Sequence, residues 1–298
     1  MYMRQKFGRE TVEEKRNSFL RVLRRALCLL PFLLLAVLVP ASDAQTPALT
    51  GIAHVAIRVS DLAKSRAFYE KLGYQEAFAM DKGGSPTEAF IKVNDRQFIE
   101  LYPQREPSQQ IGFMHVCFEA ADLDAVNRDY LAHGLSPTPV KRAGAGNLLF
   151  TLQGPEHQNI EYTQYMPGSK HTMDRGLHLG ADRISEQIAG LGIEMNDPSA
   201  AESFYEEKLG FRRSTHPLEH GVIALDLPGE PDLHDGSKGQ LEILPHASGS
   251  TFRLLLAVPD LKRAAAQLKA LGILVEKRKS LLSIADPDGN HIVFVKGQ

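Results

Sequence analysis

Cysteine is nearly absent from this chain, with only Cys28 and Cys117 among 298 residues. If the N-terminal segment is removed, one thiol remains and no intrachain disulfide can form. The remaining chain of about 250 residues must then be held by an apolar core, which that length can supply. A dominant charge is also lacking. Lys and Arg number 34 against 36 Asp and Glu, for a net charge of −2, and no basic run lies outside the extreme N-terminus. That balance argues against nucleic acid or an anionic membrane surface as partner. Long apolar runs are missing too. The stretch from Ala26 to Val39 spans 14 residues, short of the roughly 20 needed to cross a bilayer.

That stretch has a different grammar. Arg21, Arg24 and Arg25 precede it, Pro40 ends it, and Ser42 and Ala44 take the −3 and −1 positions of a signal-peptidase site. Residues 1–44 are therefore expected to be an export signal cleaved after Ala44. The product would be periplasmic or secreted and free of the membrane after cleavage. The alternative is an uncleaved anchor. Cys28 is preceded directly by Leu27 and not by a small residue, which speaks against a lipoprotein.

What the chain does contain is a repeat. "FYEKLGY" at 68–74 returns as "FYEEKLGF" at 204–211, 136 positions later, and duplication is the first thing such a pattern indicates. Four units share one order: a short strand, a helix, then further strands. The first opens with Val55, Ile57 and Val59 alternating against His54, Ala56 and Arg58, the period of a strand. Ser60 or Asp61 can cap the first helix, Asp122 the second, Asn196 or Asp197 the third and Asp260 the fourth, while Gly73, Gly134 and Gly272 mark helix ends. Pro198 suits an early helical position. Later strands are short and apolar, such as "QFIELYP", "NIEYTQY", "QLEILP" and "HIVFVK", and "DPDGN" at 286–290 reads as a hairpin turn with Gly289 at positive φ. The segment Tyr165–Arg183 breaks the pattern. It divides the chain into modules 1 and 2 at 51–164, a linker at 165–185, and modules 3 and 4 at 186–297.

Two residue types recur on this frame. His54 and His115 lie in the first strands of modules 1 and 2, 61 residues apart, and Glu100 and Glu161 lie in the last strands at the same separation. Period 2 turns each glutamate away from its apolar neighbours, Ile99 and Leu101 or Ile160 and Tyr162. A carboxylate placed there is costly unless it meets water, a partner or a metal.

With its "H-x-x-[IF]-x-[VA]" openings, the "DLAKSRAFYEKLGY" helix and "IEL" or "IEY" in the last strands, the chain resembles the vicinal oxygen chelate superfamily. This is the group of glyoxalases, epimerases and extradiol dioxygenases, and the resemblance runs over nearly all of 51–297. It implies an α+β fold of four βαβββ modules paired into two cup-shaped mixed sheets. It also implies a divalent metal inside a cup, held by a first-strand and a last-strand residue from each of two modules. His54, Glu100, His115 and Glu161 match those four positions. Two imidazoles and two carboxylates suit Mn, Fe, Co, Ni or Zn. A small substrate with vicinal oxygens could chelate there, and Glu100 or Glu161 could serve as general base.

Other residues carry open readings. Arg58 shares the face of His54 and could hold a substrate carboxylate or phosphate, or sit in a surface ion pair. Glu119 takes the equivalent place in module 2. His157 reads as a turn residue and Cys117 as buried apolar filler. In the second half the four ligand positions fall on Gly190, Glu242, Arg253 and Val293, so that cup is expected to have lost its ion, with Glu242 a carboxylate at a solvated mouth. The polar loop 227–240 reads as a lid or plain surface. The resemblance implies a metalloenzyme of the glyoxalase or epimerase type, a lyase or isomerase acting on a small oxygenated molecule, and the segment 1–44 adds that it is exported. The alternatives are an extradiol-type dioxygenase or a metal-free binding protein of the bleomycin-resistance kind. Dioxygenases of this group use two histidines and one carboxylate, typically in the C-terminal pair of modules. The site is expected within one chain, and a homo-oligomer is left open.

Overall fold

The computed structural model describes residues 47–219, 221–229, 239–246, 252–278 and 280–297. The expected export signal at 1–44 and most of the expected lid, 230–238, lie outside the described residues. The first half contains β1 (Leu49–Val59), α1 (Leu62–Lys71), β2 (Gln75–Lys82), β3 (Ser85–Lys92) and β4 (Phe98–Pro103). It continues with β5 (Gly112–Ala120), α2 (Leu123–Ala132), β6 (Lys141–Arg142), β7 (Leu148–Gln153) and β8 (Asn159–Gln164). The second half follows a short α3 (Lys170–Met173). It holds β9 (Gln187–Met195), α4 (Pro198–Leu209), β10 (Arg212–Arg213), β11 (Ile223–Asp226) and β12 (Gln240–Pro245), then β13 (Phe252–Val258), α5 (Leu261–Ala270), β14 (Glu276–Arg278), β15 (Leu281–Ala285) and β16 (His291–Lys296).

Each half is one curled eight-stranded mixed sheet. The strand orders are β2-β3-β4-β1-β5-β8-β7-β6 and β10-β11-β12-β9-β13-β16-β15-β14, so the two halves share one topology and each is a pair of βαβββ modules. The helices begin where short acceptors can meet free N–H groups. Asp61 accepts from Ala63 and Lys64, Asp122 from Ala125, Asp197 from Ala200 and Asp260 from Lys262 and Arg263. The repeated phrase ends in a glycine with φ +88° at Gly73 and +73° at Gly210. At Gly73 a Cβ would also lie 2.5 Å from the Asp182 carbonyl oxygen, so the chain passing beneath requires glycine there.

Alternation divides each strand between two faces. Val55, Ile57, Val59, Ile99, Leu101, Val116, Phe118, Ile160 and Tyr162 turn toward the helices. They join Leu191, Ile193, Tyr205 and Phe211 of the second half in one continuous core. His54, Ala56, Arg58, Glu100, His115, Cys117 and Glu161 take the other, concave face.

The segment 165–185 does more than connect. It folds against the first cup as a strap, with Tyr165 donating to the Arg96 carbonyl at 2.8 Å. The fully buried Lys92 ammonium donates to Asp174 Oδ2 at 2.8 Å and pairs with Asp95 at 2.8 Å. His171 of α3 enters the cup edge-on to Phe78, Phe90 and Phe98, with ring centroids 5.0, 5.2 and 4.8 Å away. Asn147 Oδ1 accepts from the Met166 N–H, so its amide nitrogen faces His171 Nδ1 at 2.9 Å. That arrangement makes Nδ1 the acceptor.

Burial holds His171 far below its ordinary range, down to about 4. An unfolded histidine titrates near 6.5, so the unfolded chain takes up the proton first and stability is lost as pH falls from about 6.5 toward 4. The linkage is on the order of 3 kcal/mol at its limit. His171→Gln keeps a partner for Asn147 and does not titrate. Urea unfolding at pH 7 and pH 4.5 is expected to show a smaller acid-induced loss in this variant than in the wild type. Equal losses would remove His171 from the account.

Candidate metal centre

The register of four strands builds the site. In the antiparallel centre His54 faces Cys117 and Ala56 faces His115. In the flanking parallel pairs Ala56 lies beside Glu100 and Cys117 beside Glu161. Two imidazoles and two carboxylates therefore converge on one patch of the concave face, related by the local two-fold symmetry of the β1–β5 pair. All four come from one chain.

Three of them meet. Ligand atoms of His54, His115 and Glu161 lie within 4.8 Å of one another. His54 Nε2 is 3.2 Å from His115 Nε2 and 3.6 Å from Glu161 Oε1. Glu100 stands on the other side of the same imidazole, its Oε1 3.2 Å from His54 Nδ1. The contact is close but poorly directed, because Nδ1 is buried without an aligned hydrogen bond.

The electrostatics follow from burial. His54 is held well below its ordinary value by desolvation and then by His115, and burial brings His115 down to about 4. Both rings are therefore neutral, the form that binds metals. Glu100 is pushed well up by burial, then by Glu161 and Glu88, and Glu161 rises to about 7 through burial and Glu88. The two Nε2 atoms face each other beside a carboxylate, and packed carboxylates repel one another. An inserted cation would relieve both conflicts, and this N, N, O donor set suits a borderline divalent ion. The residues present fit a metal.

Two members of the cup were not anticipated from sequence. The Tyr102 hydroxyl donates to Glu100 Oε2 at 3.1 Å, and Glu88 of β3 is near enough to raise both glutamates. Tyr102 was legible, since it follows Glu100 by two in a strand. Glu88 needed the β3–β4 register, in which Phe90 pairs with Glu100. Arg58 lies toward the end of β1 and donates to the Gln110 carbonyl at 3.2 Å, apart from the cluster. Glu119 accepts from Arg96. His157 sits in a 3₁₀ turn at φ +63°, and Cys117 is fully buried.

The second cup corrects one expectation. Its register repeats the first, with Gly192 beside both Glu242 and Arg253, and Leu255 beside Val293. Glu242, expected at a solvated mouth, is completely buried. Its Oε2 accepts from Arg253 at 3.0 and 2.6 Å, and Arg253 also pairs with Glu219 at 2.5 Å. The guanidinium supplies the charge a buried carboxylate demands. Gly192 makes the room, since a Cβ there would lie 2.7 Å from Arg253 Cγ.

The fold and this cup define a class. Residues 51–162, which form the first cup, match the family described as Glyoxalase/Bleomycin resistance protein/Dioxygenase superfamily. A curated relative is the uncharacterized protein YwkD of Bacillus subtilis, 29% identical over 103 residues, covering 31% of this chain and 79% of that protein. Among solved structures, the 2,3-dioxygenase LapB from Pseudomonas sp. KL28 superposes with a TM-score of 0.61 at 16% identity, over 85% of this chain and 93% of that one. The Mn(II)-bound glyoxalase from Novosphingobium aromaticivorans gives 0.61 at 17% identity, over 84% and 82%. At those identities the likeness is one of fold.

Arg253→Met leaves Glu242 buried without its partner and is expected to destabilise the chain by about 3–5 kcal/mol. Arg253→Met combined with Glu242→Leu is expected to recover most of that loss. Chemical denaturation of both variants checks this, and a double variant no better than the single would refute it.

Proposed function

We propose that the protein is an exported metalloenzyme of the glyoxalase or epimerase type, a lyase or isomerase that moves a proton on a small substrate carrying neighbouring oxygens. The observation carrying this reading is the convergence of His54, His115 and Glu161, with a further buried carboxylate, Glu100, beside them. His54, His115 and Glu161 would hold one divalent ion, with Glu100 available as the remaining carboxylate of the set. Such an ion polarises a carbonyl and stabilises the negative charge that develops when a neighbouring carbon loses a proton. Glu100 receives that proton and returns it. Tyr102 fixes Oε2 of Glu100, while Oε1 lies 3.2 Å from His54 Nδ1 without an aligned hydrogen bond, so Oε1 is the oxygen that would take the proton. Burial of Glu100 keeps water from it and makes the carboxylate a stronger base than an exposed one.

A second reading has its own support. His54, His115 and Glu161 form a two-histidine, one-carboxylate set from which Glu100 stands apart, the arrangement that suits an extradiol-type dioxygenase. A metal-free binding protein is the third, and the donor set counts against it. Export rests on residues 1–44 alone. N-terminal sequencing of the mature protein is expected to begin at Gln45, and an intact N-terminus would remove the periplasmic or secreted assignment.

Elemental analysis of chain purified without nickel is expected to find about one metal per protein, lost in His54→Ala and His115→Ala. Glu100→Gln is expected to keep the metal while abolishing exchange of solvent deuterium into hydroxy-carbonyl substrates. That loss should be 10²-fold or more, on the order expected for a general base. Oxygen uptake with a catechol, without deuterium exchange, would favour the dioxygenase reading. No metal after soaking with Mn, Fe, Co, Ni and Zn would sink both.

A further inference from the structure

The second cup lacks the ligand set of the first, and nothing fills its place. Where the first carries Cys117, Glu119, Glu161 and Thr163, it carries Leu255, Ala257, Val293 and Val295, which gather with Ala189 and Leu281 into an apolar cluster separate from the main core. A cavity of about 270 Å³ remains beside them. Protein interiors are close-packed, so a hollow of this size over an aliphatic floor is the layout of a binding pocket rather than of a closed core. Its walls differ in character. Val222, Leu244 and Pro245 come from the β11 and β12 side of the curled sheet, while Arg278, Ser283 and His291 come from β14, β15 and β16. Register puts the polar three on one face. Arg278 pairs with Leu281, two residues before Ser283, and Ser283 pairs with Val293, two residues after His291.

We infer that this cavity is a metal-independent site for a small carboxylate on an apolar body, such as an aliphatic or aromatic monocarboxylic acid. Free donors specify the acid. The Ser283 hydroxyl and the His291 ring make no hydrogen bond or ion pair among the described residues. The charged partner of Arg278 is Glu276, at 3.6 Å and with both side chains mostly exposed, a surface pair that holds the guanidinium weakly. That planar fork matches a carboxylate through two parallel hydrogen bonds. Ser283 and one imidazole nitrogen can add donors of their own. Arg253 and Glu219 also border the cavity, but as a closed group. Arg253 gives its Nε and one Nη to Glu242 and its other Nη to Glu219 at 2.5 Å. The negative charge of Glu219 turns an acid away from that end and toward Arg278. The body of the molecule then lies over Val293 and Leu281, and its removal from water drives binding.

The test uses the full chain and three matched probes, 4-methylbenzoate, 4-methylbenzamide and 4-methylbenzylamine, titrated calorimetrically at low salt. Saturable binding of 4-methylbenzoate is expected, with the amide about tenfold weaker because it loses the charge-assisted hydrogen bonds, and the amine weaker still. Arg278→Met changes an exposed side chain, so the urea midpoint should stay in place while 4-methylbenzoate falls to the level of the amide. Binding should be unchanged in the His54→Ala, His115→Ala double variant, whose metal cup is disabled, and lost in Val293→Phe, which fills the cavity. No binding of 4-methylbenzoate, equal or tighter binding of the amide or the amine, or full binding by Arg278→Met would overturn the assignment. Loss of binding in the metal-cup variant, or its survival in a folded Val293→Phe chain, would do the same. The outcome is independent of whether the first cup is an enzyme.

Discussion

The pairing of β1 with β5 is the constraint from which everything else follows. These two first strands run antiparallel through the centre of the sheet, with Val55 opposite Val116. The residue one position before that point on each strand therefore has its counterpart on the other. His54 and His115 are brought together by this register and by nothing else in their local sequences. The parallel partners β4 and β8 then bring one glutamate to each side. A slip of one residue in either parallel pairing would send Glu100 or Glu161 to the helix side, among Ile99, Leu101, Ile160 and Tyr162. The apolar character of those flanking residues is what locks the register.

The duplicated frame shows how one architecture meets the same demand twice. A carboxylate at the last-strand position of a curled sheet lies where water is scarce, and it requires a positive charge. In the first half the arrangement of Glu100 and Glu161 around two neutral imidazoles suits an ion from solution. In the second half Arg253, at the place of His115, brings the charge covalently attached to the chain, and Gly192 at the place of Ala56 clears its path. The backbone is conserved between the halves because its packing does not depend on which solution is used.

Much of this was legible in the sequence. Strand alternation, aspartate caps and positive-φ glycines are local signals, and they placed the main strands, four helices and the four-module repeat. The equal spacing of His54, Glu100, His115 and Glu161 was legible because it repeats. What escaped has a physical explanation in each case. β2 is partly exposed along its length, and β6, β10 and β14 are two or three exposed residues each, so none carries an apolar run to read. Several of the strap's contacts join residues far apart in the chain, as Lys92 and Asp174 do, 82 positions apart. The burial of Glu242 was misjudged because its partner lies on a different strand and is an arginine, a residue type that reads as surface.

Gln97 shows how the halves are tied. Its amide donates to the carbonyls of Ile52 and Ile188 at 3.2 and 3.1 Å, and its Oε1 accepts from the Ile188 N–H at 2.8 Å. One buried side chain thus completes backbone hydrogen bonding in both sheets, at the place where neither has a strand to offer. Once such a stitch exists, a single copy of the repeat would be left with unpaired backbone groups and an uncovered apolar flank. The two halves are therefore joined through a shared buried polar group, and neither would keep its backbone satisfied if separated from the other.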